Sequence, residues 1–516
     1  MGRSETLWAP ANLWAKPLAP VQYGWYAAHM QFRPDLDSTS EIPLYRQLGS
    51  YVQRLISSGE LQAGDRLPPT RELAGQLGLN RTTVSAAYEW LESEGLIQGA
   101  VGRGSFVLGN AARPTAASQG IDWSHTLTPS MFASSGSPAS NVIDFSSSRP
   151  SEHLFPLEEF RNCCSEVLAD RRLQSLLQLG SPLGHAPLRA WLLARARQQG
   201  IAGNNDDILI TNGCQQAVDI LRRALTQPGT RVALEEPVYP GLRNLFLDAG
   251  ADLIGVPVTD EGMDLYSLRR ALDAGAKVVV ITPSFQNPTG ATIPAAARSA
   301  LIALTRAAGA VVIENDIYSD LVYQGAGQTR LKALDPNVIL LGSFSKIAFP
   351  GVRVGWIIAP KPVIARAAEL KQLTDLHTDQ LSQAFLLHFA ESGRLAKHES
   401  IVIAAGREKL RAVEQACQKH LPTCRYTVPF GGMNMWIDLP AGLDAGALRG
   451  LARQAGVDYL PGRYFSVSRS LDSGLRLSFA GLEPADIRRG IAILGGVILE
   501  AATSRDEASR PTLAFV

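Results

Sequence analysis

The chain has 516 residues, with 49 Lys and Arg residues against 48 Asp and Glu residues, and 46% of its residues are hydrophobic. At roughly 150 residues per domain, this length and composition exclude a single small module and predict several domains with buried cores. The net charge of +1 excludes a strongly charged whole-chain field, so a site for nucleic acid has to be local.

The sequence also bears on membranes, disulfides and metals. No apolar stretch of about 18 residues occurs, so we expect no membrane-spanning helix, and the first residues lack the pattern of a secretory signal. The five cysteines are an odd number and form no Cys-x-x-Cys pair. We therefore expect neither a disulfide framework nor a metal site, and a cytoplasmic location.

Composition changes most clearly in a stretch rich in Ala, Ser, Pro and Gly that follows the first hundred or so residues. Such a stretch is typical of a flexible linker. The boundaries predict an N-terminal extension over 1–40, a small domain over 41–110, a linker over 111–144 and a large domain over 145–505. No role is predicted for the extension, which contains three tryptophans.

The small domain carries the pattern of three helices followed by a hairpin. Apolar residues recur at helical spacing, and Thr70 and Asn80 are the residue types that cap the second and third helices. Short β-branched runs surround the Gly-Arg-Gly sequence at 102–104. Helices are predicted near 44–56, over 71–77 and from 81 onward, with strands near 96–98 and 105–108. This order is typical of a winged helix-turn-helix domain.

In such a domain the third helix presents its first residues to the major groove of DNA. Arginine there can bind guanine or phosphate, while hydroxyl and amide groups bind phosphate. A protein–protein adaptor is the alternative interpretation of the same shape. Arginine and acidic residues are nearly balanced over 41–110, so we expect modest affinity per domain and binding as a dimer. The candidate DNA contacts are Arg71, Asn80, Arg81, Thr82, Thr83 and Arg103.

Four segments of the small domain closely resemble the GntR family of bacterial transcription regulators. They are Leu-Pro-Pro-Thr-Arg-Glu-Leu-Ala at 67–74, Asn-Arg-Thr-Thr-Val-Ser-x-Ala-Tyr at 80–88, Leu-Glu-Ser-Glu-Gly-Leu-Ile at 91–97 and Gly-Arg-Gly-Ser-Phe-Val at 102–107. The resemblance implies DNA contacts from Arg71, Arg81, Thr82, Thr83 and the wing, and it favours a DNA-binding role over an adaptor.

In the large domain, short β-branched runs alternate with amphipathic stretches. This pattern predicts an α/β fold with a mainly parallel sheet and helices on both of its faces. Ligands of such sheets bind beyond the carboxyl ends of the strands, and polar clusters follow these runs. The predicted strands lie near 208–210, 231–234, 278–282, 311–313 and 338–341.

Two of these polar clusters have the composition of an anion site. Gly213, Cys214 and Gln215 follow the first strand where a helix begins, and a helix N-terminus attracts anions. The alternative interpretation, without a binding role, is an ordinary glycine turn. The second cluster follows the strand near 338–341 and contains two hydroxyls, a lysine flanked by apolar residues and an arginine, a combination suited to phosphate and to an amine nucleophile. Its members are Ser343, Ser345, Lys346 and Arg353.

Other clusters suit a pyridine ring. Asp316 can keep a ring nitrogen protonated, and Tyr318 and Asn287 can hydrogen-bond a ring oxygen. Tyr239 can stack on the ring face. Purely structural roles are the alternative interpretation, such as a helix cap for Asp316 and a Pro-Gly turn around Asn287. Taken together with the anion site, they match the requirements of pyridoxal phosphate.

Residues 145–500 resemble the fold-type I aminotransferases through Asn-Pro-Thr-Gly at 287–290, Asp-x-Tyr at 316–318, Ser-x-Ser-Lys at 343–346 and Arg353, in family order. The resemblance implies a large α/β/α domain with a small C-terminal α+β domain, and Lys346 as the lysine that carries the cofactor. It implies that Arg476 grips a substrate α-carboxylate. It also implies that Gly213, Cys214, Gln215, Ser343, Ser345 and Arg353 surround the phosphate.

The whole chain beyond residue 40 resembles the MocR subfamily of GntR regulators, in which these two domains are joined. The resemblance implies a homodimer that binds operator DNA and senses an amine, an amino acid or the cofactor itself. The chain departs from the subfamily at Leu179, where a tyrosine is usual, and at Asn287, where many members have an aromatic residue. Because Asn287 is typical of the enzymes, an active aminotransferase is the alternative function.

Overall fold

The computed structural model describes residues 32–37, 40, 42–100, 104–108 and 142–508. The chain separates into two units, Met1–Met131 and Phe132–Val516. Within the described residues, no helix has the length and apolar character needed to cross a bilayer. Arg103, the predicted contact at the wing tip, lies outside the described residues.

Unit 1 contains the three helices and the hairpin that the sequence predicts. The strands pair antiparallel, with Gln98 opposite Phe106. A helix-turn-helix with a two-stranded wing is therefore confirmed. The elements are α1 (Leu44–Ser57), α2 (Thr70–Leu77), α3 (Arg81–Ser93), β1 (Ile97–Ala100) and β2 (Gly104–Val107).

The two predicted helix caps of unit 1 have different outcomes. Asn80 precedes α3, and its side chain accepts a hydrogen bond from the backbone N–H of Thr82 at 3.2 Å, as predicted. The prediction for Thr70 is wrong, because α2 begins at Thr70 itself and no side chain caps it. Pro69 takes the cap position with φ of −54° and ψ of 139°, and its ring offers no acceptor for the helix N–H groups.

Close packing between α1 and α3 holds unit 1 together. A β-carbon at Gly49 would lie 2.3 Å from the Trp90 ring, so this contact requires glycine. Phe32 is buried and meets the Tyr51 ring edge-on at 6.3 Å. The packed part of unit 1 therefore includes residues that precede position 41.

Unit 2 is built on a mixed eight-stranded sheet with the order β4-β11-β10-β9-β8-β5-β6-β7. Only β11 and β7 run antiparallel to their neighbours, so the predicted mainly parallel sheet is confirmed. Its strands are β4 (Asp206–Thr211), β5 (Arg231–Glu236), β6 (Asp252–Thr259), β7 (Gly262–Met263), β8 (Val278–Ile281), β9 (Val311–Asn315), β10 (Ile339–Ser343) and β11 (Gly355–Pro360).

Helices cover both faces of this sheet. Val278 and Val280 of β8 join one hydrophobic cluster, whereas Val279 and Ile281 join another. Alternate residues therefore face opposite layers, as a strand buried on both sides requires. The helices are α4 (Leu157–Leu168), α5 (Leu173–Leu176), α6 (Ala186–Gln198), α7 (Gly213–Leu225), α8 (Pro240–Asp248), α9 (Leu265–Asp273), α10 (Ala295–Ala307), α11 (Leu331–Leu334), α12 (Lys361–Asp375), α13 (Gln380–Glu391) and α14 (Arg394–His420).

The C-terminal part of unit 2 forms a smaller α+β layer. Its four-stranded antiparallel sheet has the order β12-β13-β16-β15. A short parallel pair joins β14 to β3, so residues 143–144, which the sequence places in the linker, belong to this layer. The elements are β3 (Ile143–Asp144), β12 (Arg425–Tyr426), β13 (Asn434–Asp438), α15 (Ala445–Gln454), β14 (Val457–Asp458), β15 (Leu460–Pro461), β16 (Gly474–Ser478) and α16 (Pro484–Ala508).

Candidate cofactor and effector site

The predicted site residues of unit 2 lie where the strands of the large sheet end. Gly213 follows β4, Tyr239 follows β5, Asn287 follows β8, Asp316 follows β9, and Ser343 is the last residue of β10. Four of these strands run parallel in one continuous part of the sheet. Their carboxyl ends therefore meet at one edge, which is where ligands of such sheets bind.

A glycine turn, an arginine and two serines form a cradle suited to a phosphate. Gly213 begins α7 with φ of +76°, and a β-carbon there would lie 2.5 Å from Nη2 of Arg353. Arg353 is itself left-handed, with φ of 58°, and its Nη2 donates to the Asn212 carbonyl at 3.3 Å. The Ser343 and Ser345 hydroxyls lie 3.0 Å apart. Helix N–H groups, a guanidinium and hydroxyls together favour an anion.

We expect Gly213→Ala to weaken cofactor binding about tenfold or more. A left-handed alanine costs about 1–2 kcal/mol, and its β-carbon displaces the guanidinium of Arg353. Titration of the purified protein with pyridoxal phosphate, followed by absorbance, measures the effect. Gly351→Ala is the matched control, because a β-carbon at Gly351 meets no atom within 4 Å. Equal affinities for the two variants would contradict the cradle.

A lysine, a tyrosine and an asparagine converge beside this cradle. Lys346 is half-buried, and its Nζ donates to the Ser148 carbonyl at 2.7 Å and lies 5.8 Å from the centre of the Tyr318 ring. The amide nitrogen of Asn287 donates to the Tyr318 hydroxyl at 3.2 Å. The two predicted partners of a ring oxygen therefore lie together, next to the predicted cofactor lysine.

Arg476 joins the same group of residues from the smaller sheet. It is buried, and its Nη1 donates to Oδ1 of Asn287 at 3.1 Å while its Nη2 contacts the Ser146 carbonyl. Burial lowers the pKa of Arg476 to about 10, which leaves the guanidinium charged at neutral pH. Its Nε is buried and has no hydrogen-bond partner among the described residues. A buried guanidinium with a donor still available is suited to a carboxylate ligand.

Asp316 is already engaged by neighbours that the sequence does not reveal. Its Oδ2 accepts from Nε of Arg330 at 3.0 Å, and its Oδ1 is contacted by the Ser319 hydroxyl. The second branch of Arg330 binds Asp320 at 2.7 Å. The predicted partner of a ring nitrogen is therefore one member of a charge cluster, described further below.

The remaining predicted residues line the start of α7 and the end of β5. Cys214 is partly buried, its thiol donates to the Gly342 carbonyl at 3.6 Å, and burial raises the pKa of this thiol to about 12. Gln215 donates through its amide to the Gly241 carbonyl at 3.1 Å. A β-carbon at Gly241 would lie 2.4 Å from the Tyr239 ring, which places Tyr239 beside Gln215. Cys214 is therefore a neutral neighbour of the cradle.

Sequence reasoning missed Ser146, Ser148 and Arg330. The two serines act through their backbone carbonyls, to which Arg476 and Lys346 donate. A backbone carbonyl carries no residue-type signal, so no pattern identifies these two positions. Arg330 lies in a loop of mixed composition before α11, and only the fold brings it to Asp316.

In unit 1, the predicted DNA contacts lie at the beginning of two helices. Arg71 is in the first turn of α2, and Asn80, Arg81, Thr82 and Thr83 form the beginning of α3. All are exposed except Thr83, which is half-buried. The Asn80 side-chain oxygen caps α3, so Asn80 acts in positioning the helix end that carries Arg81 and Thr82.

Two family models match the chain. The model for bacterial regulatory proteins of the gntR family matches residues 44–107. The model for aminotransferases of class I and II matches residues 140–494. The two matches correspond to the helix-turn-helix in unit 1 and to the sheet-based fold of unit 2.

Two regulators are similar to the chain over most of its length. The HTH-type transcriptional regulator TauR of Rhodobacter capsulatus is 30% identical over 87% of this chain and 95% of its own length. The uncharacterized HTH-type transcriptional regulator YdfD of Bacillus subtilis is 29% identical over 91% of this chain and 99% of its own length. Both alignments are too long to be confined to either unit.

Among solved structures, the kynurenine aminotransferase of Pyrococcus horikoshii, crystallised in complex with PMP, is 32% identical with a TM-score of 0.68. The match covers 70% of this chain and 92% of that enzyme. The enzyme therefore matches a share of the chain that corresponds in size to the aminotransferase region alone.

Proposed function

The chain belongs to the family of HTH-type transcriptional regulators that join a GntR domain to an aminotransferase class I and II domain, the MocR architecture, and on that premise we propose how it works. Unit 2 receives an amine or amino acid effector, and unit 1 binds operator DNA through α3. The observation that carries this proposal is that TauR and YdfD align across both units.

Pyridoxal phosphate is the cofactor of this fold, and the residues at the sheet edge fit it. The glycine turn at Gly213 leaves room that a β-carbon would fill, and Arg353 and the two serines supply the donors for a phosphate. When bound, the cofactor supplies an aldehyde that condenses with amines and a ring that accepts electrons. We assign Lys346 to the aldehyde, Asp316 to the ring nitrogen, Asn287 and Tyr318 to the ring oxygen, and Tyr239 to the ring face.

The effector would be an amine that binds beside Lys346, the residue that would hold the cofactor aldehyde in its absence. Among the described residues, the Lys346 amine donates to one carbonyl and lies at the Tyr318 ring face, so few interactions oppose its displacement. Where the effector is an amino acid, Arg476 binds its carboxylate through a guanidinium that burial keeps free of competing water. Such a ligand shifts the protein between two states only if it binds them with different affinity.

A catalytically active aminotransferase is the second candidate function. The observation that favours it is the chain of contacts from Arg476 through Asn287 to Tyr318, since an asparagine at position 287 is typical of the enzymes. Lys346 is also placed to move a proton to or from the α-carbon of a bound amino acid. Repeated turnover with an amino acid and a keto acid would identify this function.

We propose that the protein acts in the cytoplasm as a homodimer. Four exposed leucines in two segments, near 177–179 and near 373–376, support a partner surface on unit 2. The Gln380 side chain connects these segments, because it donates to the Gln178 carbonyl at 2.7 Å. Burying each such side chain contributes about 1.5–3 kcal/mol. Leu179, which stands where a tyrosine is usual, belongs to this surface. The leucines are Leu177, Leu179, Leu373 and Leu376, with exposures of 71%, 71%, 81% and 52%.

DNase footprinting of the full chain at fixed salt, upstream of its own and neighbouring genes, tests the regulator. We expect two protected half-sites, as a dimer requires. Arg81→Ala should weaken this footprint about tenfold or more, because one specific arginine contact contributes about 1–3 kcal/mol.

The control for this test is Arg54→Ala, which removes an equal charge from the exposed end of α1, where Arg54 lies over the Tyr51 ring. The control should leave the footprint unchanged. An undiminished footprint in Arg81→Ala, or an equal loss in both variants, would contradict the assignment of α3 as the recognition helix.

A further inference from the structure

A cluster of four ionisable side chains lies directly behind the ring-nitrogen partner Asp316. Arg330 binds Asp316 through Nε at 3.0 Å and Asp320 through Nη2 at 2.7 Å. Arg298, which is fully buried, is attracted to Asp316 and Glu314 and repelled by Arg330. Burial and the neighbouring Asp316 raise the pKa of Glu314 to about 7. Arg330 therefore connects Asp316 to the other charged side chains of this cluster.

The backbone on both sides of Arg330 is fixed by buried side chains. Glu314 accepts from the N–H groups of Leu331 and Lys332 at 2.8 Å each. Arg298 donates to the Thr329 carbonyl at 2.8 Å. Glu314 in β9 and Asp316 directly after that strand therefore bind neighbouring residues of this segment, at 330–332. Arg330 is therefore a fixed neighbour of Asp316 rather than a surface arginine.

The ion pair is also poorly screened by water. The Asp316 and Arg330 side chains are 9% and 18% exposed. They line a cavity of about 60 Å³ together with apolar side chains that include Leu340, Phe344 and Trp356. At such a site a charge pair interacts more strongly than at an open surface.

We propose that Arg330 is a positioning residue that weakens Asp316 as the partner of the cofactor ring nitrogen, and that Asp320 partly relieves this effect. The inference rests on the proposed function, because it assigns Asp316 to that nitrogen. This effect would let the chain hold an amine ligand without efficient turnover. A ring nitrogen that is less firmly protonated withdraws electron density less strongly from the α-carbon of the ligand.

The negative charge of a carboxylate is what stabilises a proton on the ring nitrogen. One oxygen is bound by a guanidinium and the other is contacted by Ser319. A guanidinium bound to one oxygen neutralises part of the carboxylate charge and occupies an acceptor site, so less negative charge remains to stabilise a pyridinium N–H. Asp320 shares the Arg330 charge, so removing Asp320 leaves more of that charge to Asp316.

Two substitutions therefore have opposite expected effects. In Arg330→Gln the ring nitrogen should gain its proton about one pH unit higher than in the unaltered protein, because the repulsion between the Arg330 guanidinium and a protonated ring is removed, and one nearby charge shifts a titrating group by about 1–3 units. In Asp320→Asn it should gain its proton at lower pH. Arg330→Lys keeps the charge and should resemble the unaltered protein.

The experiment uses the full chain loaded with pyridoxal phosphate that carries ¹⁵N in the ring. The ¹⁵N chemical shift, followed against pH, reports the protonation of that atom without any turnover. Exchange of the α-hydrogen of L-alanine for deuterium is the second measurement. One pH unit corresponds to a factor of ten, so we expect about tenfold faster exchange in Arg330→Gln and slower exchange in Asp320→Asn.

The inference is overturned if Arg330→Gln leaves the ¹⁵N titration unchanged, if both variants shift it in the same direction, or if exchange in Arg330→Gln is no faster than in the unaltered protein. These results leave cofactor binding at Lys346, seen as an absorption band, and the DNA footprint intact, so they concern this inference alone. If the unaltered protein bound no cofactor, the proposed function and the inference would both fail. Opposite shifts without any footprint would support the inference and count against the regulator.

Discussion

Lys346→Ala is expected to lose the whole absorption band of the lysine-bound cofactor, with no residual amplitude from another lysine. The band requires a C=N bond between the aldehyde and a lysine amine, and Lys346 is the lysine that lies at the Tyr318 ring beside the predicted cradle. Lys332, by contrast, is fully buried and bound to Asp206 at 2.7 Å.

The measurement is an absorbance spectrum of purified protein supplied with pyridoxal phosphate, followed by borohydride reduction and peptide mapping. Lys346→Arg keeps a cation near the Ser148 carbonyl and should also lack the band. Lys361→Ala removes an exposed lysine at the beginning of α12 and should keep it. A full band in Lys346→Ala, or a label mapped to another lysine, would remove the cofactor lysine from both proposed functions.

The strands and the residues that follow them were predictable because they obey local rules. A short β-branched run such as 278–282 is typical of a buried strand. In a parallel sheet the carboxyl end of this strand then lies beside the carboxyl ends of the neighbouring strands. Asn80 was predictable as a cap because its side chain bonds to a backbone group two residues away. Thr70 does not cap α2 because the helix begins one residue earlier than predicted, so that Pro69 occupies the cap position.

Contacts between distant parts of the chain were not predictable in the same way. Arg330 binds Asp316 across 14 positions of sequence, and Lys346 binds the Ser148 carbonyl across 198. Neither pair follows a spacing rule. The first depends on the hydrogen bonds that hold the beginning of α11 to Glu314 of β9, and the second on the return of residues 145–148 to the site. Residue type and spacing identify the candidate groups for the chemistry, while the side chains and carbonyls that contact them become visible only in the fold.

These contacting groups bear on the choice between regulator and enzyme. Hydrogen bonds join Arg476, Asn287 and Tyr318, the residues on the side of the site where we propose that an amino acid binds. The end of the site proposed to bind the ring nitrogen differs from this, because the Asp316 carboxylate also binds the Arg330 guanidinium. A site that binds an amino acid well and withdraws electrons weakly is suited to sensing, whereas an efficient transaminase needs both properties.

Arg476→Gln is expected to reduce the affinity for amino acids about a hundredfold while leaving the affinity for simple amines nearly unchanged. Removing one partner of a buried, hydrogen-bonded charge pair costs about 2–5 kcal/mol. Arg476 is buried and charged at neutral pH, so a ligand carboxylate has no equivalent donor in the variant. An amine without a carboxylate never makes this contact.

Titrating the Lys346 band with amino acids, and with the amines formed by their decarboxylation, measures both affinities in one preparation. The ratio between them isolates the carboxylate contact from any general loosening of the site. This matters because Arg476 also holds Asn287 at 3.1 Å, and Asn287 in turn donates to Tyr318. If both ligands lost affinity equally, Arg476 would act only by orienting Asn287, and the effector would have to be recognised without its carboxylate.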